Sequence, residues 1–232
     1  MEEETSTTHP PIRSFVLRQG RTTQAQRRAF EELWPRYGLE LPATDQIDPT
    51  TIFGNSHPLF LEIGCGNGET LSTLAARHPE QNYLGVEVHG PGVGSLMLKL
   101  EESDSDNARV LKCDAMELLR HHLPVGCLDG LYLFFPDPWP KKKHHKRRIV
   151  QPEFTQLVQR ALRPGGFLHM ATDWEDYAEQ MLLVLSEATG FENSAGQGNF
   201  SPRPADRTLT HFEQRGQRLG HGVWDLIFRR CD

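Results

Sequence analysis

Residues 59–68 read Leu59-Phe60-Leu61-Glu62-Ile63-Gly64-Cys65-Gly66-Asn67-Gly68 and are the strongest indication of the fold. A short apolar strand ends at Ile63, three glycines alternate over 64–68, and a helical pattern continues to about Arg77. Strand, glycine-rich turn and helix in this order let the backbone approach a ligand closely. The spacing is G-x-G-x-G and not the G-x-G-x-x-G of dinucleotide sites, so it favours a ligand without a pyrophosphate. A tight turn with no ligand is the alternative.

Downstream of this turn, strand patterns alternate with helical patterns. Strands are predicted over 83–88, 108–112, 128–135 and 167–171, with helices over 93–102, 115–121, 152–161 and 174–189. The pattern predicts an α/β, Rossmann-like fold with a mostly parallel central sheet and helices on both faces. Residues 223–229 predict a C-terminal, antiparallel strand. Upstream, 23–37 has helical spacing, and the prolines of 38–57 predict loop.

Length and composition bound the domain organisation and the compartment. The 232 residues, 37% of them hydrophobic, fit one domain with an appendage. We expect a disordered tail over 1–11, an arm, helix and loop that pack on the core over 12–57, and the main domain over 58–232. No apolar run approaches the ~20 residues of a membrane helix. Four cysteines without a C-x-x-C pair favour a reduced, cytoplasmic protein.

Each of the first four strands of the main domain is associated with an acidic residue at its carboxyl end: Glu62, Glu87, Asp114 and Asp137. Open parallel sheets bind ligands at this edge. Four carboxylates there suit a cationic cofactor with a ribose and an adenine, which describes S-adenosylmethionine and not NAD. Glu87, 19 residues after Gly68, is placed to accept bonds from ribose hydroxyls. Asp114 could accept from the adenine amino group, cap a helix, or do both.

The fourth strand leads into a proline-rich turn and then a basic run. Pro136-Asp137-Pro138-Trp139-Pro140 stiffens the exit. Residues 141–148 carry six fixed positive charges, whereas the whole chain has a net charge of −6. This concentration beside a methyl donor predicts a polyanionic substrate, although a solvated surface or a localisation signal is the ordinary explanation of such a run. Trp139 could stack on a base or pack against the sheet edge.

These segments resemble the bacterial tRNA (guanine-N7-)-methyltransferases, a class I S-adenosylmethionine-dependent family. The glycine loop and Gly85-Val86-Glu87-Val88 would indicate only the superfamily. Phe135 to Arg148 is the specific stretch, and Ala171-Thr172-Asp173-Trp174 and Thr210-His211-Phe212-Glu213-Gln214-Arg215-Gly216 complete the resemblance. The arm 12–21 is also similar. One departure is His211, where many members have lysine, so its charge here depends on pH.

The resemblance implies methyl transfer to N7 of a guanine in tRNA, at position 46 of the variable loop. It marks Asp137 as the active-site residue and Glu62, Glu87, Asp114 and Asp137 as cofactor-contacting acids, with Gly64, Gly66 and Gly68 in the cofactor loop. It marks substrate contacts at Lys141, Asp173, Thr210, His211, Phe212 and Glu213. It marks an RNA-binding segment at Lys143, His144, His145, Lys146, Arg147 and Arg148.

Several alternatives stay open at this level. The protein could be an S-adenosylmethionine enzyme for another RNA or a non-RNA substrate, or a non-catalytic RNA-binding subunit. Thr172-Asp173-Trp174 could be a simple helix cap. Arg13, Arg18 and Arg21 of the arm could grip RNA or be unremarkable. We expect tRNA as partner, no metal and no membrane; the oligomeric state is open, with a monomer as one option.

Overall fold

The computed structural model describes residues 13–16, 22–205, 207–208, 213 and 222–232. Its strands are β1 (Gly38–Leu39), β2 (Leu59–Ile63), β3 (Asn82–Val86), β4 (Ala108–Leu111), β5 (Leu128–Phe134), β6 (Leu162–Thr172), β7 (Phe191–Asn193) and β8 (Trp224–Arg230). Its helices are α1 (Gln24–Glu32), α2 (Trp34–Tyr37), α3 (Pro49–Phe53), α4 (Glu69–Arg77), α5 (Gly90–Glu102), α6 (Ala115–Glu117), α7 (Pro152–Ala161) and α8 (Glu175–Glu187). A π-helical turn (Leu118–His122) follows α6, and a 3₁₀ helix (Lys142–Arg147) follows β5.

The strands form one sheet in the order β1-β4-β3-β2-β5-β6-β8-β7. All neighbouring pairs from β1 to β6 are parallel, and β8 runs antiparallel to both β6 and β7. The predicted mostly parallel sheet with an antiparallel C-terminal strand is therefore confirmed. The strand order reverses between β2 and β5, which is the crevice where sheets of this kind bind ligands.

Helices cover both faces of the sheet, as predicted. Successive side chains of a strand point to opposite faces of the sheet, so both faces of β2 are apolar: Leu61 packs in one core and Phe60 in the other. One core is closed by α6, α7 and α8, and the other by α1, α4 and α5. Each fully buried leucine or phenylalanine of these layers contributes about 1.5–3 kcal/mol to folding. In the described part of the chain, no helix has the length and apolarity needed to cross a membrane.

The N-terminal region is more ordered than its prolines predict. Asp48 caps α3 by accepting from the N–H of Thr50, and Pro49 occupies the first turn, where no N–H is needed. The predicted helix over 23–37 is two helices, with Pro35 in the first turn of α2. β1 pairs with β4, so part of the 12–57 segment belongs to the main sheet. The tail predicted over 1–11 lies outside the described residues.

Candidate active site

The four acids that follow successive strands meet in one cavity. It has a volume of about 690 Å³ and lies at the carboxyl edge of the parallel strands. Glu62 lines it from β2, and Glu87, Asp114 and Asp137 line it from the exits of β3, β4 and β5. The parallel order of these strands brings side chains together that are up to 75 positions apart in the sequence.

The glycine loop forms the floor of this cavity. Gly64, Gly66 and Gly68 have φ angles of 70°, 53° and 79°, a region that residues with a side chain rarely adopt. The N–H of Gly64 donates to the carbonyl of Val86 at 2.8 Å, which ties the loop to β3. A Cβ at Gly68 would lie 2.5 Å from Leu96, so α5 can pack this close only against glycine. The thiol of Cys65 is buried, which raises its pKa well above the ordinary value and fits a packing role.

Glu87 is held by backbone N–H groups on both of its oxygens. The N–H of Gly66 donates to Oε2 at 2.9 Å, and the N–H of His89 donates to Oε1 at 2.8 Å. These bonds fix the carboxylate over the loop and leave each oxygen further lone pairs. The side chain is therefore oriented to accept bonds from a ligand hydroxyl.

Glu62 is a buried carboxyl group with an unpartnered oxygen. Its residue is 6% exposed, and Oε2 has no hydrogen-bond partner among the residues that the structure describes. Burial and the nearby charge of Glu87 raise the pKa of Glu62 to about 8. Hydrogen bonds from Leu71 and Thr70 act in the opposite direction and lower this pKa, but they do not outweigh the burial. A cationic ligand would supply the missing partner, so this acid fits the ammonium group of the cofactor expected from the sequence.

Asp114 begins α6. Its carboxylate accepts from the N–H of Met116 at 2.9 Å, so the helix-cap alternative is present in the structure. The residue also lines the cavity, so it can do both. The helix expected over 115–121 shortens to α6 and continues as the π-helical turn.

The loop after β5 carries Asp137 on a strained backbone. Phe135 and Trp139 have φ angles of 50° and 45°, which are costly for residues with side chains. Asp137, between two prolines, is exposed at the rim of the cavity. The Nε1–H of Trp139 donates to the carbonyl of Ser14 at 3.0 Å, and the guanidinium of Arg147 lies 3.8 Å above its ring. One face of the indole is therefore already covered by the protein.

The described part of the N-terminal arm closes one side of the cavity. Ser14, Phe15 and Val16 line it. Arg147 donates to the carbonyls of Arg13 and Phe15, both at 3.0 Å. Arg18 and Arg21 lie outside the described residues.

The basic run divides into exposed and buried members. Lys141, Lys142, Lys143 and Lys146 are exposed on the 3₁₀ helix or next to it. Partial desolvation and the surrounding cations lower the pKa of His144. Arg148 is 2% exposed and bonds within the protein, so the prediction that it contacts RNA does not fit its position.

Of the predicted substrate contacts, Lys141, Asp173 and Glu213 belong to the described residues, and none of them lines the cavity. Lys141 and Asp173 stand close to the exits of β5 and β6. Trp174 is the N-cap residue of α8 and makes no side-chain cap bond, whereas its N–H donates to Oγ1 of Thr172 at 3.2 Å, a bond that orders the entry to the helix. Glu213 is fully buried, with both oxygens 2.8 Å from Arg207. Thr210, His211 and Phe212 lie outside the described residues.

Sequence reasoning missed the buried ionic network that holds Glu213. Arg207 pairs with Glu213 and, at 2.9 Å, with Asp225, which in turn lies 2.8 Å from Nε2 of His169. The only signal in the sequence is a histidine inside an apolar strand. Among the described residues, no group of three or more His, Cys, Asp or Glu could hold a metal ion.

Comparison with known proteins identifies the family of this chain. A family model described as a putative methyltransferase matches residues 56–226. A tRNA (guanine-N(7)-)-methyltransferase of Nitrosospira multiformis is 55% identical over 222 residues, 96% of each chain. One of Methylococcus capsulatus is 56% identical over 223 residues, 95% of this chain and 96% of the relative. The chain belongs to the tRNA (guanine-N(7)-)-methyltransferase family.

Solved structures show the same fold at low identity. A mutant 16S rRNA (adenine(1408)-N(1))-methyltransferase from Catenulisporales acidiphilia, crystallised with cosubstrate SAM, gives a TM-score of 0.53 at 16% identity over 81% of this chain and 93% of that one. An rRNA methylase from Streptococcus thermophilus gives 0.52 at 11% identity over 79% of this chain and 92% of that one. The predicted class I methyltransferase fold is confirmed for this tRNA (guanine-N(7)-)-methyltransferase family member.

Proposed function

We propose that the protein transfers a methyl group from S-adenosylmethionine to N7 of a guanine in tRNA, at position 46 as the sequence resemblance implies. The proposal is supported by a cofactor-type cavity and a basic surface that lie next to each other at the carboxyl ends of the parallel strands. A cavity lined by the glycine loop and four carboxylates opens beside the exposed lysines of residues 141–146. The carboxylates that line the cavity suit a cationic cofactor, and the lysines outside its rim suit phosphates.

The cofactor fits the inner part of the cavity. The unpartnered Oε2 of Glu62 would accept from its ammonium group, and Glu87 would accept from the ribose hydroxyls. Asp114 would accept from the adenine amino group while it caps α6. Gly64 offers open space above the loop, since a Cβ there would meet nothing within 4 Å. When bound, S-adenosylmethionine supplies an electrophilic methyl group.

The protein's own part in the reaction is to bind, orient and desolvate. Guanine N7 has a lone pair and no proton, so the transfer needs no general base. Asp137, held at the rim by its flanking prolines, would accept from N1–H and the N2 amino group of guanine and so aim N7 at the methyl group. Its negative charge also favours the cationic ring that forms.

The nucleic-acid side lies outside the cavity. Lys141, Lys142, Lys143 and Lys146 would neutralise backbone phosphates. The target base must leave its stack to reach the rim, and the described arm residues 14–16 would help to exclude water. Asp173 and residues 210–212 remain proposed substrate contacts. We also propose that the protein works in the cytoplasm, where tRNA is found.

The deciding experiment is transfer of tritiated methyl from S-adenosylmethionine to unmodified tRNA, followed by nucleoside analysis. We expect label in 7-methylguanosine, and none with tRNA that has adenosine at position 46. Label in another nucleoside or in protein would replace the proposed substrate. Binding of tRNA without any calorimetric binding of S-adenosylmethionine would favour an RNA-binding subunit instead.

A further inference from the structure

Arg148 ends the basic run but is turned into the protein. Its side chain is 1% exposed, whereas lysines 141–143 and 146 of the same run are exposed. A buried guanidinium is unfavourable unless its donors are satisfied and its charge is paired.

Arg148 joins the proline-rich loop to α8. Its Nε–H donates to the carbonyl of Pro138 at 2.8 Å, and Nη1 donates to Oε1 of Gln180 at 2.6 Å. Nη2 pairs with Asp176, and this hydrogen bond lowers the pKa of the aspartate. The guanidinium also lies over the ring of Tyr177, 4.7 Å from its centre. A planar fork can serve partners on the loop and the helix at once, whereas a lysine presents all its donors from a single nitrogen.

The loop needs such an external anchor. Pro136, Pro138 and Pro140 have no N–H, so few backbone donors between 136 and 140 can fasten the loop to the rest of the fold. The backbone is strained on both sides of Asp137, at Phe135 and at Trp139. Such strain persists only where surrounding contacts enforce it. The carbonyl of Pro138, next to Asp137 in the chain, is the acceptor that Arg148 uses.

We infer that Arg148 is a positioning residue for Asp137, which clamps the loop after β5 to α8 and does not bind tRNA phosphate. The inference rests on the role proposed above for Asp137 in orienting guanine. The clamp holds the carboxylate at the rim through the Pro138 carbonyl. Neighbouring arginines in this run thus have different tasks, because Arg147 bonds the N-terminal arm and Arg148 bonds the loop.

The first test separates turnover from binding in Arg148→Met. We expect kcat to fall by about 10²-fold, the scale of a misplaced reacting group. We expect tRNA Kd and its salt dependence to stay within about threefold of wild type, because phosphate contacts supply most of the affinity. Cofactor Kd, measured by calorimetry, should also be unchanged. A weaker tRNA Kd with normal kcat would make Arg148 a phosphate contact and overturn the inference.

A matched control tests whether a loss of kcat reflects general destabilisation. Arg160 of α7 is a half-buried arginine that donates to the carbonyls of Leu119 and Arg120, and none of the three lines the cavity. Arg160→Met should lower Tm and leave kcat near wild type. If kcat falls equally in both variants in step with Tm, Arg148 is only a structural residue. Arg148→Lys keeps the charge near Asp176 and should still lose kcat, which covers the case where the methionine variant does not fold.

A double-mutant cycle links Arg148 to Asp137. If Arg148 acts through Asp137, the variant with both Arg148→Met and Asp137→Asn should be no slower than Asp137→Asn alone. Multiplicative losses would show independent action and overturn the inference. If Asp137→Asn has a reduced kcat and Arg148→Met has the kcat of wild type, the inference about Arg148 is overturned and the proposed function remains. Normal turnover in Asp137→Asn would remove the proposed role of Asp137, and the inference with it.

Discussion

The backbone N–H of Gly66 donates a 2.9 Å hydrogen bond to Oε2 of Glu87, across 21 positions of sequence. The glycine loop after β2 and the acid after β3 therefore orient each other. His89 holds the second oxygen from the other side. Because the Glu87 carboxylate is already fixed, it loses little conformational entropy when a ligand binds to it, which favours affinity.

Replacing Glu87 should weaken cofactor binding. Glu87→Gln keeps the size of the side chain but loses the charge and one acceptor, which also served the N–H of Gly66 or His89. We therefore expect S-adenosylmethionine binding, measured by calorimetry, to weaken by about 1–3 kcal/mol. Glu117→Gln is the control, because Glu117 is exposed on α6 and does not line the cavity. Equal cofactor affinity in a folded Glu87→Gln variant would refute the ribose role.

Glu62 should make stability depend on pH in the ligand-free protein. Burial raises its pKa from 4.5 to about 8, so the folded state binds more protons than the unfolded state between these values. The free energy of unfolding should then fall as pH rises through this window, by up to about 1.4 kcal/mol per pH unit. Urea unfolding at several pH values should show this slope in wild type and lose it in Glu62→Gln. Parallel profiles would contradict the assignment.

Cofactor binding should release a proton from Glu62. An ammonium group beside the carboxylate lowers its pKa, because an opposite charge favours the ionised form. Calorimetry near pH 7 in two buffers of different ionisation enthalpy measures the protons exchanged. We expect wild type to release protons on binding the cofactor and Glu62→Gln to release none. Equal binding heats for wild type in the two buffers would contradict proton release from Glu62.

The exposed lysines should account for much of the salt dependence of tRNA binding. Changing Lys142, Lys143 and Lys146 to alanine should weaken tRNA binding and reduce the log–log salt slope by about 0.7–0.9 for each phosphate that is no longer neutralised. Cofactor affinity should not change. The control replaces three exposed cations near the amino ends of the parallel strands, on the side of the sheet away from the cavity: Arg77, Arg163 and Arg229. If both triple variants lose slope equally, the effect is one of net charge and not of this segment.

Asp137 should discriminate guanine from inosine at the target position. Inosine lacks the N2 amino group but keeps N7, so the substitution should slow wild type strongly if Asp137 accepts from that group. Asp137→Asn should turn over tRNA about 10²–10³-fold more slowly, as for removal of one preorganised electrostatic interaction. It should lose far less on going from guanine to inosine. If inosine slows turnover by the same factor in wild type and in Asp137→Asn, Asp137 does not orient the guanine.

Glu213 should matter for stability. Its carboxylate is buried between Arg203 and Arg207, so Glu213→Gln leaves Arg203 without this anion and Arg207 with Asp225 alone. Removing one partner of a buried pair costs about 3–5 kcal/mol, and the Asp225 pair should keep the loss at or below the lower end of this range. Chemical denaturation should show this loss. A Glu213→Gln variant of wild-type stability with impaired tRNA KM would instead support the substrate contact that the sequence resemblance implies.

Local patterns in the sequence determined the sheet, the glycine loop and the acids at its edge. Alternating strand and helix periods fix a parallel order, and parallel strands place every carboxyl end at one edge. Glu62, Glu87, Asp114 and Asp137 could therefore be predicted to meet without knowledge of any side-chain contact. The basic run was equally visible, because six charges stand within eight positions.

Which members of these patterns are buried depends on contacts between distant parts of the chain. Arg147 and Arg148 are adjacent and identical, yet one bonds the arm about 130 positions away and the other bonds Gln180 and Pro138. Arg207 likewise finds Asp225 and Glu213 through the fold. A buried charge is tolerated only where partners from distant segments converge on it. That convergence depends on how helices and loops pack around the sheet, which no local spacing records.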